Sequence, residues 1–409
     1  MADVQPLRAL HYDLAKVGPL ADVISPPYDV IDGPARAALA ARSPYNVVEI
    51  DLPEGGDERY ERAGALFARW QADGVLVRDT QPALWALEQH YGGRVRRGFF
   101  ARVRVEEYGA GRIRPHERTH PGPRADRLAL TRATKANLSP IFALHSDPQG
   151  SALAALEPAL ATAPWGDATD ADGVRHRLWR CADPAAIEAV GHALDGVELL
   201  IADGHHRYET ARVYAEEIGG EGDHRYVLML LVAIEDPGLA VLPTHRMVSG
   251  LDAAQSAALN SVIERDFEAR PTRELAPPAG RGPLALGFVD RERSLALTLR
   301  DQAIADRVLA GMPEPYRRLD TGVLEALILK GALGLTDDDI SHLRGLGYAR
   351  DVDEAVEAVR SGAYDAAFIM RATPIELVRE IAAAGVNMPP KSTYFSPKIP
   401  TGLLFNALA

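Results

Sequence analysis

Val197-Glu-Leu-Leu-Ile-Ala-Asp-Gly-His-His-Arg-Tyr-Glu-Thr-Ala211 reads as strand, tight turn and helix. The apolar run from Val197 to Ala202 suits a buried strand. Asp203-Gly204 is a turn signal. Beyond it Tyr208, Ala211, Ala215 and Ile218 recur at the spacing of an amphipathic helix. His205, His206 and Arg207 therefore fall at the start of that helix, where uncapped N–H groups and the positive end of the dipole favour an anion. The two imidazoles and the guanidinium there make a candidate phosphate cradle. The plainer alternative is that Asp203 caps the helix and the histidines are surface polar groups.

The bulk numbers set limits. A chain of 409 residues suggests two or three domains. An apolar content of 47% and a charged content of 25% are ordinary for a globular chain. The net charge of −12, with no basic tail, argues against a nucleic-acid partner. Cys181 is the sole cysteine, which rules out an intrachain disulfide or a multi-thiolate metal site. It reads as a small buried apolar residue. No apolar run is long enough to span a membrane and the N-terminal residues lack a signal-peptide core, so a cytoplasmic protein is expected.

The fold class expected is α/β, in the sense of mixed α+β. Pro26-Pro-Tyr-Asp29 cannot lie inside a helix and reads as a rigid arm. The apolar face of Tyr60, Ala63, Phe67 and Trp70 predicts a helix over 57–73. Residues 84–91 and 94–105 read as strands joined by Gly92-Gly93, a hairpin signal. Strands are also expected at 139–144, 226–234 and 364–370, and a second hairpin about Asp290. Helix starts are expected at Asp183-Pro184, at Asp320 as a cap, and at Thr373-Pro-Ile-Glu376, which has capping-box spacing. The Pro/Gly-rich stretch 270–283 is a connection.

Three further polar clusters stand out. Residues 112–128 carry His116, Arg118, His120, Arg124 and Arg127 around Glu117, and their prolines and glycine predict a loop. Leu242-Pro-Thr-His-Arg246 reads as a strand ending in Thr244, His245 and Arg246. The tail offers Lys391, Ser392, Thr393 and Lys398 in a proline-fixed loop, anchored by Leu403-Leu-Phe405. No Walker-A loop, zinc-spaced cysteines or nucleophile elbow occurs. Phosphoryl transfer asks mainly for positioning, charge neutralisation and a base. Asp203 or Glu117 could take a proton or hold Mg²⁺, while the histidines, Arg207, Arg246 and Lys391 could neutralise phosphate oxygens. These loops are expected to converge, with Glu117 and the 203–207 turn in one cleft.

Asp203-Gly-His-His-Arg207 resembles the DGHHR motif of the ParB/sulfiredoxin-like fold. Arg8-Ala-Leu-His-Tyr-Asp13, Pro26-Pro-Tyr-Asp-Val30, Pro115-His-Glu-Arg-Thr119, Asp126-Arg-Leu128, Ser139-Pro-Ile-Phe142, Leu242-Pro-Thr-His-Arg246 and Met388-Pro-Pro-Lys-Ser-Thr-Tyr-Phe395 follow in order. Together they resemble, over nearly the whole chain, the bacterial domain-of-unknown-function family 1015, which is similar to free-serine kinases. The resemblance implies an N-terminal mixed region at 1–110, a ParB/sulfiredoxin-like core at 111–269, and a C-terminal region at 270–409 whose last loop returns to the site. It implies phosphoryl transfer from pyrophosphate or a nucleotide (ADP or ATP), with Mg²⁺, to free L-serine. Glu117 is then the base and Asp203 an assisting or metal-binding carboxylate. The remaining phosphate contacts are expected from His116, Gly204, His205, His206, Arg207, Thr244, His245, Arg246, Lys391, Ser392 and Thr393. The alternatives are a ParB-like nucleotide-binding regulatory or DNA-partitioning protein without kinase activity, and a sulfiredoxin-like reaction that would have to use Cys181.

Overall fold

The computed structural model describes residues 2–108, 112–117 and 121–409, with only the backbone for 121–123. Arg118 and His120 lie outside the described residues. The chain forms two compact units, Met1–Pro115 with Thr119–Leu239 and Pro397–Ala409, and His116–Arg118 with Ala240–Ser396.

In the first unit, β1 (Leu84–Tyr91) and β2 (Arg94–Arg104) form the expected hairpin, with Tyr91 opposite Arg94. Gly92 and Gly93 take φ of 51° and 75°, the left-handed values that the commonest tight hairpin turn demands at both positions. The other principal strands are β3 (Ile141–His145), β4 (Gly166–Thr169), β5 (Arg175–Cys181), β6 (Leu199–Asp203) and β7 (Tyr226–Ala233). Across the sheet the order is Ile113–Arg114, β6, β3, β7, β2, β1, β5, β4, with Val4–Gln5 also pairing with β2. β3 runs parallel to β7, and β6 parallel to Ile113–Arg114. Nearly every side chain of β7 is buried, because this central strand is covered on both faces. Helices α1 (Arg59–Ala72), α2 (Pro121–Thr134) and α3 (His205–Ile218) pack in series, α2 touching both of the others.

α3 buries Tyr208, Ala211 and Ala215 as its spacing predicts, while Ile218 in the last turn stays exposed. Tyr208 is fully buried in the main core with Ile201, Met229 and Leu231. Its hydroxyl donates to the Glu106 carbonyl at 2.8 Å and accepts from the Glu106 N–H at 2.9 Å. Cys181 belongs to the same core, and burial pushes its thiol pKa up. The tail is anchored as expected: Leu403, Leu404 and Phe405 are fully buried, and Asn406–Ala407 pairs with Ala136–Asn137.

In the second unit, β8 (His245–Val248), β9 (Phe267–Pro271), β10 (Ala285–Asp290), β11 (Ser294–Leu299), β12 (Leu346–Ala349) and β13 (Ala366–Ile369) form an antiparallel sheet. Its order is β9-β11-β10-β13-β8-β12. Helices α4 (Ala253–Asp266), α5 (Val352–Arg360) and α6 (Ile375–Ala383) accompany it. α4 opens with a capping box between Asp252 and Gln255.

The mixed α/β class holds, but the partition into 1–110, 111–269 and 270–409 does not match this pairing. β2 hydrogen-bonds to β7 across the first boundary, and β8 to β12 and β13 across the second. A ladder is one cooperative element, so no unit boundary can run through it. Residues 121–134 form helix α2 rather than loop. Pro121 and Pro123 fall in its first turn, where a missing N–H costs nothing. Thr244, His245 and Arg246 do not end a strand; β8 begins at His245. Asp320 does not cap its helix, because it is the first helical residue and its carboxylate pairs with Arg371. No capping box forms at Thr373, whose hydroxyl donates instead to the Ser392 carbonyl at 2.8 Å, and Pro374 is the cap residue. Among the described residues no helix is long and apolar enough to cross a membrane.

Candidate functional site

β6 ends at Asp203 and α3 begins at His205, so Gly204 alone makes the turn. Its φ of 98° lies in the left-handed region. A Cβ here would also sit 3.0 Å from Arg207 Nε, so a larger residue would crowd the guanidinium as well as strain the backbone. The N-cap is Gly204 and makes no side-chain bond, which removes the reading of Asp203 as a helix cap.

Asp203 instead gathers cations. Lys398 Nζ donates to Asp203 Oδ2 at 3.2 Å, and Arg207 Nη2 lies 3.5 Å from the same oxygen. Burial pushes the Asp203 carboxyl up, but Lys398 and Arg207 outweigh it, and His205 adds to them, so its pKa is held well below the usual carboxylate range. Arg207 Nη1 donates to Ser139 Oγ at 2.9 Å and to the Pro140 carbonyl, which ties the turn to the segment before β3. Ser139 Oγ also accepts from Thr401 Oγ1 at 3.0 Å. One carboxylate thus faces an ammonium and a guanidinium at the positive end of a helix.

Two buried side chains hold Lys398 in place. Arg96 donates through Nη2 to the Pro397 carbonyl at 2.6 Å and through Nε to Gln89 Oε1 at 3.0 Å. Gln89 Nε2 in turn donates to the Lys398 carbonyl at 3.1 Å. Burial pulls the Arg96 guanidinium down to about 10, and it lies over the Phe142 ring at 4.6 Å. Sequence reasoning noted Lys398 among the tail amines without assigning it to a site, and it missed Arg96 and Gln89. Their burial and their carbonyl partners are set by the fold rather than by local spacing.

A small cavity of about 40 Å³ lies beside Arg207, lined among others by Tyr28, Asp51, Arg127, Ser139 and Thr210. Arg127 lies over the Tyr28 ring at 4.2 Å and pairs with Asp51 at 3.0 Å. Thus Tyr28, from the proline-fixed arm, and Arg127, from α2, stand next to the turn.

The other candidates lie in the second unit. His116 is buried; its Nε2 shares a hydrogen bond with Thr393 Oγ1 at 2.9 Å, and its carbonyl accepts from the Met388 N–H at 2.8 Å. Glu117 forms a parallel bridge with Met388. Arg246 is buried, donating to the Thr244 carbonyl at 2.5 Å and the Pro390 carbonyl at 3.0 Å. Burial lowers its pKa, and Tyr348, Glu325 and Glu117 hold it back, which puts Glu117 within reach of the guanidinium's field. His245 Nδ1 accepts from the Met370 N–H at 3.1 Å. Burial and then Arg246 bring that imidazole's pKa down to about 4, so it is neutral at pH 7. Ser392 Oγ donates to the Pro389 carbonyl at 2.7 Å and bonds Thr321 Oγ1, also at 2.7 Å. Lys391 is exposed, with a left-handed φ of 58°.

Of the expected set, therefore, Asp203, Gly204, His205, His206 and Arg207 stand together in the first unit. His116, Glu117, Thr244, His245, Arg246, Lys391, Ser392 and Thr393 belong to the second. Among the described residues no group of three or more His, Cys, Asp or Glu side chains could hold a metal ion. A Mg²⁺ ion that keeps most of its waters needs only one or two carboxylates together with phosphate oxygens.

The sequence matches the family described as "Protein of unknown function (DUF1015)" over residues 4–322, and the chain belongs to that family. No curated protein matches it. Solved structures similar to it include a conserved hypothetical protein from Pyrococcus furiosus, 17% identical, with a TM-score of 0.37, over 74% of this chain and 93% of that one. A free serine kinase in complex with AMP is 16% identical, with a TM-score of 0.39, over 76% of this chain and 91% of that one. A mutant free serine kinase in complex with ADP is 14% identical, with a TM-score of 0.41, over 76% and 92%.

Proposed function

We propose that this DUF1015 member is a small-molecule kinase that moves a phosphoryl group from a nucleotide or pyrophosphate to a hydroxyl acceptor, free L-serine. The observation that carries the reading is the turn where Lys398 and Arg207 converge on one oxygen of Asp203 at the uncapped start of α3. Phosphoryl transfer needs charge neutralisation on the moving group more than covalent chemistry. Lys398, Arg207 and the helix dipole supply it in a partly buried place, where each interaction counts for more than in water. Asp203 stays ionised and keeps both cations aimed while no phosphate is present. It is also the residue that would hold Mg²⁺, whose part is to neutralise phosphate oxygens further.

In the step itself the acceptor hydroxyl oxygen bonds to phosphorus as the bond to the donor's bridging oxygen breaks, and the hydroxyl proton passes to a carboxylate. We take Glu117 as that carboxylate and serine as the acceptor, a reading that the family resemblance supports. Cys181 takes no part: it is buried and its thiol pKa is raised.

The test is a donor screen with ATP, ADP and pyrophosphate, each with Mg²⁺ and L-serine, read as O-phosphoserine. One donor should give product, and Lys398→Met should lower turnover roughly 10²–10³-fold, the loss typical of one transition-state donor. No phosphoserine with any donor rejects serine as acceptor, and full activity in Lys398→Met rejects the turn as the phosphoryl site.

A further inference from the structure

A separate cavity of about 190 Å³ lies wholly within the second unit, bounded by the 280–282 loop, residues 318–320 and the start of α6. Leu319, Pro374 and Leu377 form its apolar wall, and Arg281, Arg318 and Arg371 its cationic one.

The three guanidinium groups are not equivalent. Arg371 is fixed: it pairs with buried Asp320 through both carboxylate oxygens, and its Nη2 also donates to the Gly282 and Pro283 carbonyls at 3.0 and 3.1 Å. It is a structural strut for the 280–283 loop. Arg281 pairs with Glu380 and Arg318 with Glu314, and in both pairs each side chain is at least 40% exposed. Such solvated pairs contribute little, about 0–1 kcal/mol, and their arginines can be exchanged to a ligand's acid group at small cost. The nine-residue α6 starts at Ile375, and its N-cap Pro374 brings no side-chain bond, while the Thr373 hydroxyl is turned to Ser392. The positive end of its dipole adds to these two exposed guanidinium groups.

Size sets the rest. An apolar cavity of about 150 Å³ admits benzene. A volume of about 190 Å³ therefore accommodates a body of that size. We propose that this cavity binds a small amphiphilic acid, its carboxylate or phosphomonoester head met by Arg281 and Arg318 and its apolar body resting on Leu319, Pro374 and Leu377. None of its lining residues belongs to the Asp203–Arg207–Lys398 turn.

The experiment is calorimetric titration of the full chain at low salt with benzoate, phenyl phosphate, benzyl alcohol and inorganic phosphate. Benzoate or phenyl phosphate should bind, and the stronger of the two identifies the head group. Benzyl alcohol, which lacks the charge, should bind at least about tenfold more weakly, the worth of one charge-assisted contact. The double variant Arg281→Ala/Arg318→Ala, made at exposed positions, should weaken the acid about tenfold or more and leave Tm nearly unchanged. Leu377→Trp should block binding by filling the cavity. Lys398→Met should leave benzoate affinity unaltered, which separates this site from the phosphoryl turn. Absence of binding by both acids, equal affinity for benzyl alcohol, or an unchanged affinity in the double arginine variant would overturn the proposal.

Discussion

The turn at 203–207 and the segment at 244–246 carry the same kinds of side chain, yet the fold uses them differently. At the turn, Lys398 and Asp203 are each 20% exposed, and their charges face one another at a helix start. At 244–246, His245 and Arg246 are 2% and 3% exposed, and the arginine's donors go to backbone carbonyls on either side of it. Under the proposed function, the first arrangement holds two cations that Asp203 would share with a phosphate. The second is a cross-link, in which one guanidinium joins two main-chain carbonyls. Arg207 also gives one amino group to a main-chain carbonyl, that of Pro140, but its other amino group faces Asp203, whereas both amino groups of Arg246 go to carbonyls.

The largest effects expected are on turnover. Glu117→Gln keeps the shape of the side chain and removes its basicity, so it should slow phosphoserine formation roughly 10²–10⁴-fold at saturating substrates. Phosphate affinity at the turn should persist. Arg246→Met should behave in the opposite way: it leaves the Thr244 and Pro390 carbonyls without this donor and should cost about 1–3 kcal/mol of stability. Denaturant melts and rates measured on both variants decide the matter. Equal rates for wild type and Glu117→Gln would reject Glu117 as base. An Arg246→Met protein of full stability but no activity would move Arg246 from cross-link to binding group.

The next effect is on pH dependence. His245 has its imidazole pKa held near about 4 against an ordinary 6.5. The folded state then binds this proton less readily than the unfolded chain. The stability concerned is fully present above pH 6.5 and is lost as pH falls toward about 4. The shift corresponds to about 3 kcal/mol. His245→Gln should flatten unfolding free energy over that window. Asp203 behaves differently, because its carboxyl is held below the ordinary range. What it contributes is present above the ordinary carboxylate pKa and lost only in stronger acid, so Asp203→Asn should leave the slope between pH 4 and 6.5 intact. The buried Asp320 carboxyl, pushed up to about 6, works in the opposite sense over this interval, so the reading is taken from the difference between wild type and variant: equal slopes for wild type and His245→Gln would show that His245 is not held neutral.

Local periodicity made part of this legible. The strand–turn–helix at 197–211 and the hairpin turn at Gly92-Gly93 follow from spacing and from positions that demand positive φ. Two helix-start signals were overruled by tertiary partners: Asp320 found Arg371, and Thr373 found the Ser392 carbonyl. The prolines of 121–123 were read as breakers because their place in a first turn depends on where α2 begins. The bond from Lys398 to Asp203 spans 195 residues of sequence, and no local pattern encodes such a pairing. Arg96 lies in a strand that otherwise reads as plain hairpin, and only the carbonyl it finds at Pro397 reveals its part.

The smallest effect tests the cross-link reading where it stands closest to the proposed base. Thr393 Oγ1 bonds His116 Nε2 inside the second unit, and His116 precedes Glu117, whose backbone bridges Met388. Thr393→Val keeps the β-branched shape and removes only the hydroxyl. If Thr393 is structural, the loss is one buried hydrogen bond, about 1 kcal/mol. Binding of phosphate at the Lys398–Arg207 turn should then match wild type, and turnover should fall only as far as Glu117 loses its alignment. A titration with inorganic phosphate alongside a denaturant melt separates the alternatives. Unchanged stability with phosphate affinity reduced about tenfold or more, the size of a lost phosphate contact, would return Thr393 to the phosphate-binding set and break the contrast between the two regions.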